Sequence, residues 1–216
     1  MKINVYGCGG TGSHVLIGLA RINYNLMRIE KPPIHVTAYD FDTVSHANVG
    51  RQAFFPVDVG HNKAKVLIQR INPHYGFNWK AMTCKAGGSS DCDLIISCVD
   101  TKKSRKEIMN GRHKKGTYLI DCGNSRVSGQ VLVGQYKGDL PNPYEENEDL
   151  WKGDEPKGEP GCTDPHLTQD LFINSTIAQH ACHYVWNMLR WNKTENRGVF
   201  LDMDQGVCNP VAKKGT

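Results

Sequence analysis

Apolar and polar positions along this chain switch repeatedly between two periods. Residues 3–6 form a short β-prone run, and residues 11–24 carry Val15, Leu16, Leu19, Ala20 and Ile22 at helical spacing. The pattern then continues as strand 34–40, helix 61–72, strand 76–82, strand 93–98, helix 102–114 and strand 117–121. Leu94 to Val99 is almost wholly apolar, which is the mark of a parallel strand buried on both faces. Strands alternating with helices predict an α/β fold: a Rossmann-like, doubly wound, mostly parallel sheet with helices on both faces. Runs at 129–136, 197–203 and 207–211 predict an antiparallel C-terminal extension, flanking a long helix at 167–191. On that helix Leu171, Ile177, Ala178, Ala181, Val185 and Leu189 make a stripe suited to core or dimer contact.

Composition narrows the organisation. With 216 residues, 39% of them hydrophobic, the chain can bury a proper core and is short for two domains, so residues 1–216 read as one unit. Residues 139–161 stand apart, with eight acids, two lysines and four prolines, hence a net charge of −6. The remainder therefore carries +10 of the total +4. Such a stretch buries little apolar surface and is expected to be a flexible crossover, or a plain linker. Beyond Lys114-Lys115 there is no basic run, and no aromatic-rich or helix-turn-helix motif, so nucleic acid is not an expected partner. No signal peptide or membrane-spanning run is evident, so the chain reads as cytoplasmic, away from membranes and with reduced thiols.

Two stretches carry chemistry. Gly7, Gly9 and Gly12 fit G-x-G-x-x-G between a strand and a helix, where glycines permit a tight turn and let backbone approach phosphate at the positive helix end. The G-K-[ST] ending of a P-loop is absent, since Ser13 and His14 follow. The second predicted strand ends on Asp40, where an acid can accept hydrogen bonds from ribose hydroxyls. The gap from Gly12 to Asp40 is 28 residues, against about 20 in usual dinucleotide sites. Taken alone, Asp40 also reads as a solvated strand-end acid, and each of Arg51 and Lys63 as one surface cation among 26 basic residues. Asp100 follows the buried run 94–99, at the carboxyl edge where open α/β sheets bind ligands.

Gly7 to Ser13, D-F-D-T-V (40–44), A-N-V-G-R-Q (47–52), D-V-G-H-N-K (58–63) and C-V-D-T (98–101) together resemble the ThiF/MoeB/E1 superfamily, which activates ubiquitin-like proteins. Q-D-L-F-I-N-S-T-I-A-Q-H-A (169–181) is similar to one branch, the ThiF-family protein of the PRTRC (ParB-related, ThiF-related) cassette. The resemblance implies ATP and Mg²⁺ as cofactors, with Gly7, Gly9, Gly10, Gly12, Asp40 and Asp42 in the nucleotide site. It puts Asp40 on the ribose, Asn48, Arg51, Gln52 and Lys63 around the triphosphate, and Asp100 on the metal. Arg51, Lys63 and Asp100 would then be catalytic. An arginine fork, a lysine point charge and a divalent ion suit phosphate oxygens that gain charge in the transition state. The implied nucleophile is a protein's C-terminal carboxylate, with a pKa around 3.5, so it needs no general base. The implied partner is a ubiquitin-like β-grasp protein ending in glycine, and the implied assembly is a homodimer.

Eight cysteines raise the question of covalent acyl transfer. None forms C-x-x-C, so no structural zinc is expected. His180 and His183 share a helical face, but Cys182 does not join them, a poor metal set. By resemblance Cys162, in G-E-P-G-C-T-D-P before a helix starting near Pro165, is the candidate catalytic nucleophile; its other reading is an idle loop cysteine. Relatives usually place an arginine on a helix before the first strand, and this sequence starts at that strand. Either another arginine (Arg21, Arg105 or Arg126) is expected to substitute, or adenylation is slow, or the protein only holds nucleotide. Three readings follow: an E1-like adenylyltransferase, a catalytically silent nucleotide-binding scaffold, and an NAD-dependent oxidoreductase.

Overall fold

The structure is a computed structural model that describes residues 1–85, 87, 90–153, 169–193 and 195–212. Eight strands form one sheet: β1 (Lys2–Tyr6), β2 (His35–Tyr39), β3 (Lys80–Met82), β4 (Leu94–Ser97), β5 (Tyr118–Asn124), β6 (Ser128–Gln135), β7 (Gly198–Asp202) and β8 (Val207–Pro210). Their spatial order is β3-β2-β1-β4-β5-β6-β7-β8. The first five pair in parallel and the last three continue antiparallel. The chain turns back between β1 and β4, the topological switch point at which such sheets open a crevice.

Alternation along the strands separates two cores. Ile3, Val5, Leu94, Ile96, Ile120, Cys122, Val131 and Val133 face one side, under α1 (Gly10–Arg28), α2 (Lys63–Tyr75) and the helix Ile173–Trp191. Tyr6, Ile95 and Leu119 face the other, under α3 (Lys102–Met109) and the short α4 (Pro143–Glu146). The long C-terminal helix is therefore α5. The doubly wound sheet with its antiparallel extension is as expected from the sequence.

Several boundaries moved for identifiable reasons. The strand expected at 76–82 shortens to Lys80–Met82, because Gly76 adopts φ 69°, ψ 31° and closes α2, while Phe77 stacks on Trp79 at 5.1 Å. The helix expected at 102–114 ends at Met109, and His113 then packs on Tyr136 with ring centroids 4.2 Å apart. The expected start of α5 moves to Ile173. Asp170 N instead donates to Arg126 O and Gln169 Nε2 to Ser125 O, which ties those residues to the β5–β6 turn. The acidic stretch 139–161 divides. Its first part, through Gly153, is packed: Tyr144 is fully buried and Arg197 pairs with Glu146 at 2.6 Å. Its remainder lies outside the described residues. Three apolar anchors, Pro143, Tyr144 and Trp151, hold that first part against the acidic composition from which mobility was expected.

The first loop depends on missing side chains. A Cβ on Gly7, whose φ is 84°, would lie 2.7 Å from Cys98 O, and one on Gly12 would lie 1.8 Å from Gly7 O. Both obstacles are backbone, so neither can swing aside. Gly12→Ala is expected to destabilise the fold by about 1–3 kcal/mol, as overpacked sites do, read as a lowered urea midpoint with an unchanged slope.

Candidate functional site

The carboxyl ends of β1, β2 and β4 converge through backbone contacts. Gly7 N donates to Tyr39 O at 3.0 Å, Cys98 N to Tyr6 O at 2.8 Å, and Asp40 N to Met82 O at 3.1 Å. Above them opens a cavity of about 990 Å³ lined by Gly7, Gly9, Gly10, Asp40, Asp42, Arg51, Gln52, Lys63 and Asp100. This is the crevice outside the strand ends that the switch point predicts. Nine of the twelve residues singled out in the sequence therefore line one cavity.

Asp40 organises the near side. Its Oδ2 accepts from Cys8 N at 2.6 Å and its Oδ1 from Asp42 N at 2.8 Å, so one carboxylate ties the glycine loop to the loop after β2. Burial pushes the Asp40 carboxyl up from its usual value; those two amides and the Lys63 charge act against the shift. The same burial drives the neighbouring Cys8 thiol well up, so it stays protonated and serves packing. Asn62 caps α2 by accepting from Lys65 N at 3.0 Å, and its Nδ2 donates to Asp40 O at 2.8 Å. Thus Lys63, the first residue of α2, is held at the cavity, its Nζ 3.5 Å from Asp42 Oδ2. Arg51 comes from the irregular loop between β2 and α2 and donates through Nη1 to Gln169 Oε1. Gln52 is buried, and among the described residues its Oε1 has no hydrogen-bond partner, which leaves an acceptor to be met within the cavity. Asp100 is exposed on the opposite wall, just before Thr101, which caps α3 by accepting from Ser104 N at 3.2 Å.

Two expected site residues are placed elsewhere, and a third cannot be compared. Gly12 lies inside α1 beneath the loop, where it allows the close approach described above rather than lining the cavity. Asn48 does not line the cavity either; its Oδ1 accepts from Ser45 N at 2.9 Å and closes a one-turn 3-10 helix. Cys162 lies outside the described residues. Gln169 does line the cavity, and Gly153, where the preceding described stretch ends, would place a Cβ 3.7 Å from Lys102 Nζ at the start of α3.

Sequence reasoning missed a polar rim. Asn174, at the start of α5, accepts through Oδ1 from Thr11 Oγ1 and Asn124 Nδ2, each at 3.3 Å, and donates to Gln169 Oε1 at 3.2 Å. It is 3% exposed. A buried asparagine within the apolar stripe of a helix was the available signal. Among the described residues no group of three or more His, Cys, Asp or Glu could hold a metal ion. Asp100, exposed at the cavity, still fits an oxygen-seeking ion that takes one or two carboxylates and fills its shell from phosphate and water. No helix among the described residues is long and apolar enough to cross a membrane.

Comparison with known proteins decides the family. A model described as the ThiF family matches residues 1–206. The chain belongs to the ThiF family. Over 151 residues it is 30% identical to the molybdopterin-synthase adenylyltransferase of Salmonella typhimurium, covering 65% of this chain and 56% of that protein. It is 28% identical over 154 residues to ubiquitin-like modifier-activating enzyme 5 of Oryza sativa subsp. japonica, covering 61% of this chain and 34% of that one. This ThiF-family chain thus spans about half, or less, of the curated relatives' length. Among solved structures, PaaA superposes with TM-score 0.69 at 15% identity, over 98% of this chain and 72% of PaaA. E. coli MccB with ATP gives TM-score 0.63 at 17% identity, over 98% and 63%. These two likenesses establish the fold.

The Asp40 shift has a testable sign. A carboxyl whose folded pKa lies above its unfolded 3.8 contributes stability that is lost as pH rises through that window. Asp40→Asn is therefore expected to gain stability relative to the native protein as pH is raised from about 4 to 7, read by thermal unfolding.

Proposed function

We propose that this cavity adenylates the C-terminal carboxylate of a small ubiquitin-like or sulfur-carrier-like protein with ATP. One observation carries the reading: Asp40, Arg51, Lys63 and Asp100 line a single cavity beside the glycine loop. Its volume of about 990 Å³ is at the upper end of the ~300–1,000 Å³ of small-molecule sites, enough for a nucleotide with a peptide tail. The relatives, an adenylyltransferase and a modifier-activating enzyme, support the same reaction class.

The incoming carboxylate oxygen attacks the α-phosphorus; the bond to the bridging oxygen breaks, and pyrophosphate leaves with the electron pair. The nucleophile is already ionised, so the protein's part is alignment and charge neutralisation. Asp40 takes the ribose hydroxyls, while Arg51, Gln52 and Lys63 face the phosphate oxygens, and the amides of Gly9 and Gly10 lie at the positive end of α1. Asp100 would hold Mg²⁺, which would supply positive charge against that of the phosphate oxygens. A covalent stage is part of the proposal: the Cys162 thiolate attacks the acyl carbon, and AMP leaves as the thioester forms. The run 169–181 supports the PRTRC branch, and a second copy of this chain is the expected assembly.

The test is ATP–pyrophosphate exchange dependent on a ubiquitin-like protein ending in glycine. Arg51→Ala and Asp100→Ala are each expected to lower exchange by about tenfold or more, the worth of a charge-assisted contact, while Cys162→Ala retains it. ATP binding with no exchange under any such protein would leave a silent scaffold. Tight NADH binding without ATP binding would mean an oxidoreductase.

A further inference from the structure

On the face of the sheet opposite α1 lies a buried polar chain that the adenylation reading does not use. Asp121, on β5, is wholly buried. Its Oδ1 accepts from Arg105 Nε at 3.2 Å and from the Tyr144 hydroxyl at 2.7 Å. The Tyr144 hydroxyl also sits 2.9 Å from Ser97 Oγ. Burial, with the nearby Asp121 charge, raises the Tyr144 phenol well above its ordinary value, so it remains a donor. Three elements meet at this point: α3 supplies Arg105, β5 supplies Asp121, and α4 of the acidic stretch supplies Tyr144.

Arg105 is also the only one of the three candidate substitute arginines that lines the main cavity. Arg21 lines a separate groove between α1 and α5, and Arg126 is an exposed residue of the β5–β6 turn. The Arg105 guanidinium spends Nε on Asp121 and Nη2 on Cys122 O, at 3.4 Å. Among the described residues Nη1 has no partner. A guanidinium 8% exposed, on a cavity wall, with one face pinned by a buried carboxylate, is a preorganised fork for an anion.

We propose that Arg105 is an anion-binding residue of the cavity, recognising phosphoryl oxygens, and that Tyr144 acts through Asp121 as its positioning residue. Docking of the acidic stretch through Tyr144 thereby sets where that positive charge stands on the cavity wall. Asp121 Oδ1 shares its lone pairs between the two donors. With the phenol gone, the carboxylate has no anchor on that side, and the arginine that leans on it loses its fixed place. The tie to α4 is firm at its far end, where Glu146 pairs with Arg197 at 2.6 Å and Trp151 Nε1 donates to Tyr144 O at 2.7 Å. This inference rests on the cavity's taking phosphate groups, not on the identity of the acyl substrate.

The test measures pyrophosphate and a non-hydrolysable ATP analogue by calorimetric titration, beside exchange activity. Arg105→Ala is expected to weaken both ligands by about tenfold or more, and Arg105→Lys not to restore them, since lysine lacks the fork. Tyr144→Phe, which removes one oxygen from a packed ring, is expected to weaken both by about fivefold, the worth of one hydrogen bond. Its melting temperature should stay within a few degrees of native, which separates positioning from unfolding. Native affinity in Arg105→Ala or in Tyr144→Phe overturns the inference, even if exchange is robust. Loss of pyrophosphate affinity in both variants, in a protein that shows no exchange with any ubiquitin-like protein, upholds the inference and sinks the adenylation reading. A native protein that binds neither ligand overturns both.

Discussion

The site depends on one buried carboxylate. Asp40 accepts amide protons from Cys8 and from Asp42, and so clamps the glycine loop after β1 to the loop after β2. Ionising a group there costs desolvation, as its raised pKa records, and two amides and the Lys63 charge offset that cost. Without the clamp the loop would lose its register over the strand ends, and the cations on the far loop would have no fixed distance from it. The bare backbone at Gly7 and Gly12 serves the same end, because it lets β1, α1 and β4 approach closely enough for the clamp to close.

Around that clamp the charges divide by element. Lys63 opens α2, Arg51 comes from an irregular loop, Asp100 follows β4 and Arg105 lies one turn into α3. Their supports differ: the Asn62 cap for Lys63, the Thr101 cap for α3, and, for Arg51, the side-chain amide of the sequence-distant Gln169. A phosphoryl centre needs such preorganised opposite charge in a partly enclosed site, since reorienting water would otherwise carry the cost. The Asn174, Thr11 and Asn124 rim then joins the start of α5 to both the first loop and β5.

The acidic stretch shows where composition misleads. Eight acids and four prolines across residues 139–161 argue for a mobile crossover. Yet Tyr144 within it is fully buried and bonded to Asp121. Net charge averages over a segment, whereas burial is decided residue by residue, and one aromatic with a partner for its hydroxyl is enough to dock a turn. The short β3 and the late start of α5 have the same origin: a left-handed Gly76 and side-chain bonds at residues 169 and 170 override local periodicity.

Period and order were legible in the chain itself. Strands of period two, helices of period 3.6 and their alternation dictate a doubly wound sheet, because few arrangements bury such faces. The motifs that carry the ThiF-family resemblance likewise marked nine residues that the fold brings to one cavity. Only tertiary structure decided which polar groups are spent on architecture. Asn48 and Gly12 support the loops, Asn174 holds a rim, and Arg105 meets a carboxylate sixteen residues away, with Tyr144 twenty-three residues beyond it. The Arg105, Asp121 and Tyr144 pairings join different elements, and no local pattern encodes them: they exist only once β4, β5 and the stretch after β6 lie side by side.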